Sequence, residues 1–221
     1  YVIAQSRSEF TEQSLSRLAQ ILLKNKENDK AIPVLSRLEN EADVSQNKTY
    51  AQSNLMKLYY NKKDYPNSGI YAEKVLMNPK ADDNVKSDAQ IIIARAAIET
   101  GDEAKAKVAY AKVLAIAKGE LAAEALYYDA YFKNKEGKFE ASNAAVQKIA
   151  KNYSSYKYFG AKGLILMAKN FYGLKDSYQA TYILENVIQN FTDYPDVVSE
   201  AKTELNAIKT EEAKTNSSIT K

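Results

Sequence analysis

The 221-residue chain has no cysteine, no histidine and no tryptophan. Lack of cysteine excludes a disulfide framework and thiolate chemistry. Lack of histidine removes the commonest transition-metal ligand, the usual general base and the physiological pH switch together. Ser–His–Asp triads, cysteine nucleophiles and ordinary zinc sites therefore cannot be built. A phosphate-binding loop is missing too, since Gly160-x-x-Gly163 stands without the rest of any such motif. The acidic pairs Asp82-Asp83 and Glu211-Glu212 fall in a loop and a tail, where solvated charge is a simpler reading than a cation site. Neither a cofactor nor a metal is expected, and the chain does not read as an enzyme. No apolar run approaches the roughly 18 residues of a membrane span, and the 91–98 stretch is interrupted by Arg95. Nor does one sign of charge dominate. Against 28 Asp and Glu stand 31 Lys and Arg, a net +3 with the two signs interspersed. That is a solvated surface rather than a nucleic-acid footprint.

Glycine (7) and proline (4) are few, while apolar residues reach 45%, which points to a packed helical protein rather than a disordered one. Within that composition one pattern recurs five times. An apolar helix is followed by a short turn with Gly, Asp or Lys and by a second helix led by a small residue. The leading residues are Ala31, Ser68, Ala106, Ser142 and Ala180, separated by 37, 38, 36 and 38 residues. A fixed period of this size marks a stacked array in which each unit buries its apolar face only against its neighbours. The expected fold is all-α, a right-handed α–α superhelix of about five helix pairs plus a C-terminal helix. The expected units cover about 9–42, 48–78, 86–117, 121–151 and 159–190, with a terminal helix over 195–209. Residues 210–221 are polar and unpatterned and are expected to be a disordered tail.

Local signals support the pairs. Leu15, Leu18, Ala19 and Leu22 form one helical stripe, and Asp29 is placed as the cap of the next helix, with Pro33 in its first turn. Asp64 with Pro66 and Gly101-Asp102 mark a start and a stop-and-start. A turn is placed at 173–176, with Asp176-x-x-Gln179 as a capping box. The terminal helix is patterned by Val198, Ala201, Leu205 and Ile208. Small residues on the first helices, Ala19, Ala94, Ala130 and Ala168, fit close helix approach.

Ile93-Ala94, Gly101-Asp102, Ala106, Tyr110 and Val113 in the third unit resemble the small, aromatic and turn positions of the tetratricopeptide (TPR) family. Leu55-Met56, Tyr59, Tyr65, Ser68 and Val75 follow the same pattern in the second. The period exceeds the family's repeat of about 34 residues. The surplus is assigned to inter-repeat loops at 42–49, 78–85 and 152–158. The fourth unit departs furthest, with Asp129 and Lys133 at positions that are apolar or aromatic in the family. The 156–208 stretch, with Tyr158-Phe159-Gly160-Ala161-Lys162 and Tyr178-Gln179-Ala180-Thr181, is similar to large TPR proteins of the bacterial cell envelope. More distantly it resembles those associated with the Tol–Pal system and with outer-membrane protein assembly. The resemblance implies a periplasmic or outer-membrane-associated scaffold. The chain opens at Tyr1 rather than Met and is expected to be a processed fragment. Residues 1–8 would continue a helix of an upstream repeat, with Val2 and Ile3 completing the first interface.

In the TPR family the first helix of each repeat lines a concave groove that receives a partner. Carrying that register onto this chain gives Tyr50, Lys57 and Tyr60 in the second unit and Arg95 in the third. Tyr127 and Tyr131 follow in the fourth, and Lys169 and Tyr172 in the fifth. Tyrosine and arginine bury much area while keeping a polar handle, so such a groove suits an extended or helical peptide of acidic character. The tyrosines also fit a second reading, packing between repeats, as expected for Tyr59, Tyr110 and Phe171. The function expected is a non-catalytic scaffold that binds a protein or peptide partner, with no nucleic acid and no membrane span. The alternatives are an oligomerisation module that binds another copy, and an accessory subunit of an envelope uptake or assembly complex.

Overall fold

The computed structural model describes residues 7–219, and side chains among them up to residue 214. Within these residues there are eleven α-helices and no strand. They are α1 (Thr11–Lys24), α2 (Asn28–Glu41), α3 (Ser45–Asn61), α4 (Tyr65–Met77), α5 (Asp83–Glu99) and α6 (Glu103–Ile116). Then come α7 (Gly119–Lys135), α8 (Phe139–Asn152), α9 (Lys157–Gly173), α10 (Ser177–Asn190) and α11 (Pro195–Ile219). The chain forms two compact units, one ending at Lys112 and one beginning at Val113. In the first, α1 packs on α2, α2 on α3, α3 on α4 and α5, and α4 on α5. In the second, α7 packs on α8 and α9, α8 on α9, α9 on α10 and α11, and α10 on α11. Within the units α3 thus touches α5, α7 touches α9 and α9 touches α11 directly as well as through the helix between them. The expectations for Val2 and Ile3 lie outside the described residues.

The repeat has a residue-level cause. Lys26, Lys63, Gly101, Gly137 and Lys175 all take a left-handed backbone, with φ between +59° and +74°. Each donates its N–H three residues back, and the residue after it donates five residues back, as with Gly101 to Ile98 and Asp102 to Ala97. This double bond pattern closes a helix by satisfying its last carbonyls. The residue after it then starts the next helix. Asp64 and Asp176 accept from the amides of Asn67 and Gln179, and Asp102 from that of Lys105 at 3.0 Å. In the first turn Glu27 holds that place with no side-chain cap. Asp29 is therefore not the cap. It lies inside α2 and forms an ion pair with Lys62. The earlier start at Asn28 also puts Pro33 in the second turn of α2 rather than the first.

All five leading residues, Ala31, Ser68, Ala106, Ser142 and Ala180, have no solvent exposure. So do Ala19, Met56, Ala94, Ala130 and Ala168, each twelve positions earlier on the facing first helix. Where serine replaces alanine its hydroxyl is used: Ser68 Oγ donates to the Met56 carbonyl at 3.0 Å and Ser142 Oγ to that of Ala130 at 2.8 Å. The odd fourth unit is resolved the same way. Lys133 and Asp129 pair at 2.7 Å one turn apart, while beneath them Asn170 donates to Ser142 Oγ at 2.8 Å and to Asn143 Oδ1 at 2.7 Å. Asn134 completes that network by donating to Asn170 Oδ1 at 2.7 Å.

Four local expectations change. The surplus over a shorter period extends helices as well as loops: 45–49, 83–85 and 157–158 are helical, and α3, α5, α7 and α9 each run 17 residues. Capping by Asp82 onto Val85 N and anchoring of the 42–44 connection set two of these starts. That connection is tied to α1 because Glu12 accepts from the amides of Asp43 and Val44 and from Asn47, at 2.8–3.1 Å. Gly173 ends α9 instead of turning the chain, since a Cβ there would stand 2.6 Å from the Phe139 ring, and Lys175 supplies the left-handed residue. In α11 the buried stripe begins at Val197, not Val198, and continues through Ala201, Leu205 and Ile208. The helix also runs past 209 to Ile219, because nothing in that polar stretch breaks it.

Candidate functional site

The predicted groove residues divide between the two units. In the first, Tyr50 on α3 is half-buried against the α1–α2–α3 core, and burial raises its phenol above the ordinary value. Tyr60 is half-buried against the α4–α5 core and its ring lies 5.7 Å from that of Tyr65. Lys57 is exposed on α3 but pairs with Asp88 of α5 at 2.5 Å. Arg95 is half-buried on α5. In the second unit Tyr172 is half-buried against the α9–α10–α11 core. Lys169 pairs with Glu204 of α11 at 2.5 Å.

The second unit gathers a cluster of aromatic groups across α7, α9 and the start of α11. Tyr127, only 8% exposed, meets Tyr128 edge-on at 5.1 Å, and Tyr128 meets Tyr131 at 6.1 Å. Tyr127 also faces Phe159 of α9 at 6.2 Å. Next to Phe159, Tyr158 stacks edge-on to Tyr194 at 5.7 Å, just before α11. The Lys162 ammonium lies over two of these rings, 5.3 Å from Tyr127 and 5.9 Å from Tyr158. Its counter-charge is Glu200 of α11 at 3.9 Å. Tyr158 Oη donates to Asp196 Oδ2 at 2.9 Å. Burial, with Asp196 adding to it, pushes the Tyr158 phenol up to about 12. Burial first, and then the charge of Glu200, raises Tyr127 well above the ordinary phenol range. Conversely the hydrogen bond from Tyr158 holds the Asp196 carboxyl below its ordinary value.

The geometry sorts the expectations. Tyr127 and Tyr131 are brought together through Tyr128, and Lys169 shares α9 with Lys162. Tyr158, Phe159 and Tyr194 belong to the face but fell outside the predicted set. For Tyr158 a signal was present, since it stands eleven residues, about three helical turns, before Lys169 and so on the same side of a helix. The two lysines expected to receive an acidic partner already hold carboxylates of the neighbouring first helix, Lys57 with Asp88 and Lys169 with Glu204, and Lys162 does the same with Glu200. Such partly exposed pairs contribute only about 0–1 kcal/mol each, so they open readily to a competing charge. Among the described residues no group of three or more acidic side chains converges on a metal position. No described helix is long and apolar enough to cross a membrane. No protein-family model matches the chain, and no curated protein matches it.

Proposed function

We propose that the chain is a non-catalytic protein–protein interaction scaffold of the TPR type, its helix pairs continuing as a right-handed α–α superhelix. The partner is a protein or peptide laid across the first helices α7 and α9 and the start of α11. One observation supports this above the rest: Tyr128, Tyr131, Tyr158, Phe159 and Tyr194 keep part of their rings in solvent along one face while Lys162 sits among them. Half-buried rings already held by neighbours lose little side-chain freedom on binding, and aromatic residues dominate interface energetics. Charged groups of the partner would exchange into the Lys162–Glu200 and Lys169–Glu204 pairs, giving register more than affinity. Placement in a bacterial cell-envelope assembly rests on the resemblance of 156–208. The test is capture of partners from envelope extract on the full chain, followed by calorimetry with the captured protein. Tyr131→Ala and Lys169→Ala should each weaken binding, the tyrosine by about tenfold or more and the lysine by less. Unchanged affinity in both, with helicity intact, would sink the proposal.

A further inference from the structure

The other side of α9 carries a different kind of site. Residues two apart on a helix lie about 200° round its axis, so Gly160 and Leu164 point away from the face that carries Lys162. There α8 and α9 leave a cleft of about 380 Å³ that reaches the end of α10. Val146, Leu164, Met167 and Phe191 make its wall apolar. Its volume falls in the range of small-molecule pockets, which are apolar clefts with a few placed polar groups.

Two details say what would fill it. First, Gly160 lines the cleft, and a Cβ there would meet nothing within 4 Å. Neither a left-handed backbone nor close packing calls for glycine at this position, whereas Gly163 on the next turn is pressed to 3.0 Å of Val146. Glycine weakens a helix, and at position 160 what it leaves behind is open volume. Second, Lys157 is the single charged side chain among the lining residues, and it is exposed at the mouth. The first turn of α9 adds a positive end at the same place, because Tyr156, its N-cap, contributes no side-chain acceptor. An apolar slot with only positive charge at its entrance matches an elongated apolar body ending in an anion.

We propose that the α8–α9 cleft binds a medium-chain fatty carboxylate, its alkyl chain between Val146 and Met167 and its carboxylate at Lys157. This site is independent of the tyrosine face, and its failure would leave the partner assay untouched. The probe is decanoate, titrated below its micelle concentration into the full chain by calorimetry, with decyltrimethylammonium as the matched cation. Decanoate should saturate a single site. Gly160→Leu, which improves helix propensity while filling the slot, should abolish that binding with the circular dichroism spectrum retained. Lys157→Glu should weaken decanoate by about tenfold, the scale of one charge-assisted contact, and should let the cation bind instead. Decanoate binding that survives Gly160→Leu overturns the assignment. So does equal binding of the two amphiphiles, and so does the absence of saturation.

Discussion

The left-handed turn residue is where single side chains set stability. Lysine occupies it in three turns and glycine in two, although an L-residue held there is disfavoured by about 1–2 kcal/mol. Lys63→Gly should therefore raise stability by about 1 kcal/mol. Gly101→Ala should lower it by a similar amount, since space is open around that Cβ and only the backbone objects. Urea midpoints at constant slope measure both, and a Lys63→Gly variant that is less stable would refute the strain account. Asn170 is the opposite case, a polar side chain with no exposure that satisfies partners on α7 and α8. Asn170→Ala strands the Asn143 carbonyl and the Asn134 amide and should cost about 1–3 kcal/mol. An unchanged midpoint would show the network to be idle. These two kinds of residue differ in how they read from sequence. Turn glycines such as Gly101 announce themselves, whereas Lys26, Lys63 and Lys175 look like ordinary surface lysines until their backbone angles are known. Asn170 likewise reads as a polar surface residue, because its partners on α7 and α8 are 27–36 positions away.

At the scale of elements, apolar spacing was a good guide to where helices bury themselves and a poor guide to where they stop. The small-residue period located all five tight turns, because the turn, the cap and the buried leading residue are locked to one another within a few positions. Helix ends away from those turns were not legible. The starts of α3, α5 and α9 fall inside segments assigned to loops, since a polar helix turn carries no periodic apolar signal. The same holds at the end of α11. Its last buried described side chain is Ile208, and beyond it the described side chains are exposed or half-exposed. Ending the chain at Lys209 keeps that residue's ion pair with Glu185 and should remove helix without removing core. The expected outcome is a lower helical signal by circular dichroism with a thermal midpoint unchanged to within about 2 °C. A larger drop would show that the polar extension packs on something the buried stripe does not predict. Face-level sites were legible only in part. Register arithmetic put Tyr127, Tyr131 and Lys169 on first helices, where they lie, but it could not tell that the lysines already hold acids on the next first helix, which depends on how neighbouring helices lean together.

For the whole molecule, pH response follows from the composition and from one bond. With no histidine and no cysteine, no side chain in the chain ordinarily titrates across neutrality, so stability should be nearly flat from about pH 6 to 9. The Tyr158–Asp196 hydrogen bond is sensitive at both ends. Asp196 is held below its ordinary value, so its contribution is present above the usual carboxylate range and fades as pH falls through the lowered value. Glu12 adds to the acid side: burial would raise it, but Asn47 and the amides of Asp43 and Val44 outweigh that and hold it low. Tyr158 is raised to about 12, so its contribution is complete below the ordinary phenol value near 10 and is lost as pH climbs through about 12. Lysines lose their charge over the same alkaline interval, so the fall in stability alone would not identify the tyrosine. Tyr158→Phe separates the two, because it removes the bond and the late phenol while leaving every lysine in place. Tyrosinate absorbance of the native chain should show a late-ionising fraction that includes Tyr127 and Tyr158. The variant should lose part of that late fraction and show a shallower decline in stability above pH 10. If all the tyrosines of the folded chain titrated together, the aromatic face would be wetter than its geometry implies, and its weight as a binding surface would fall with it.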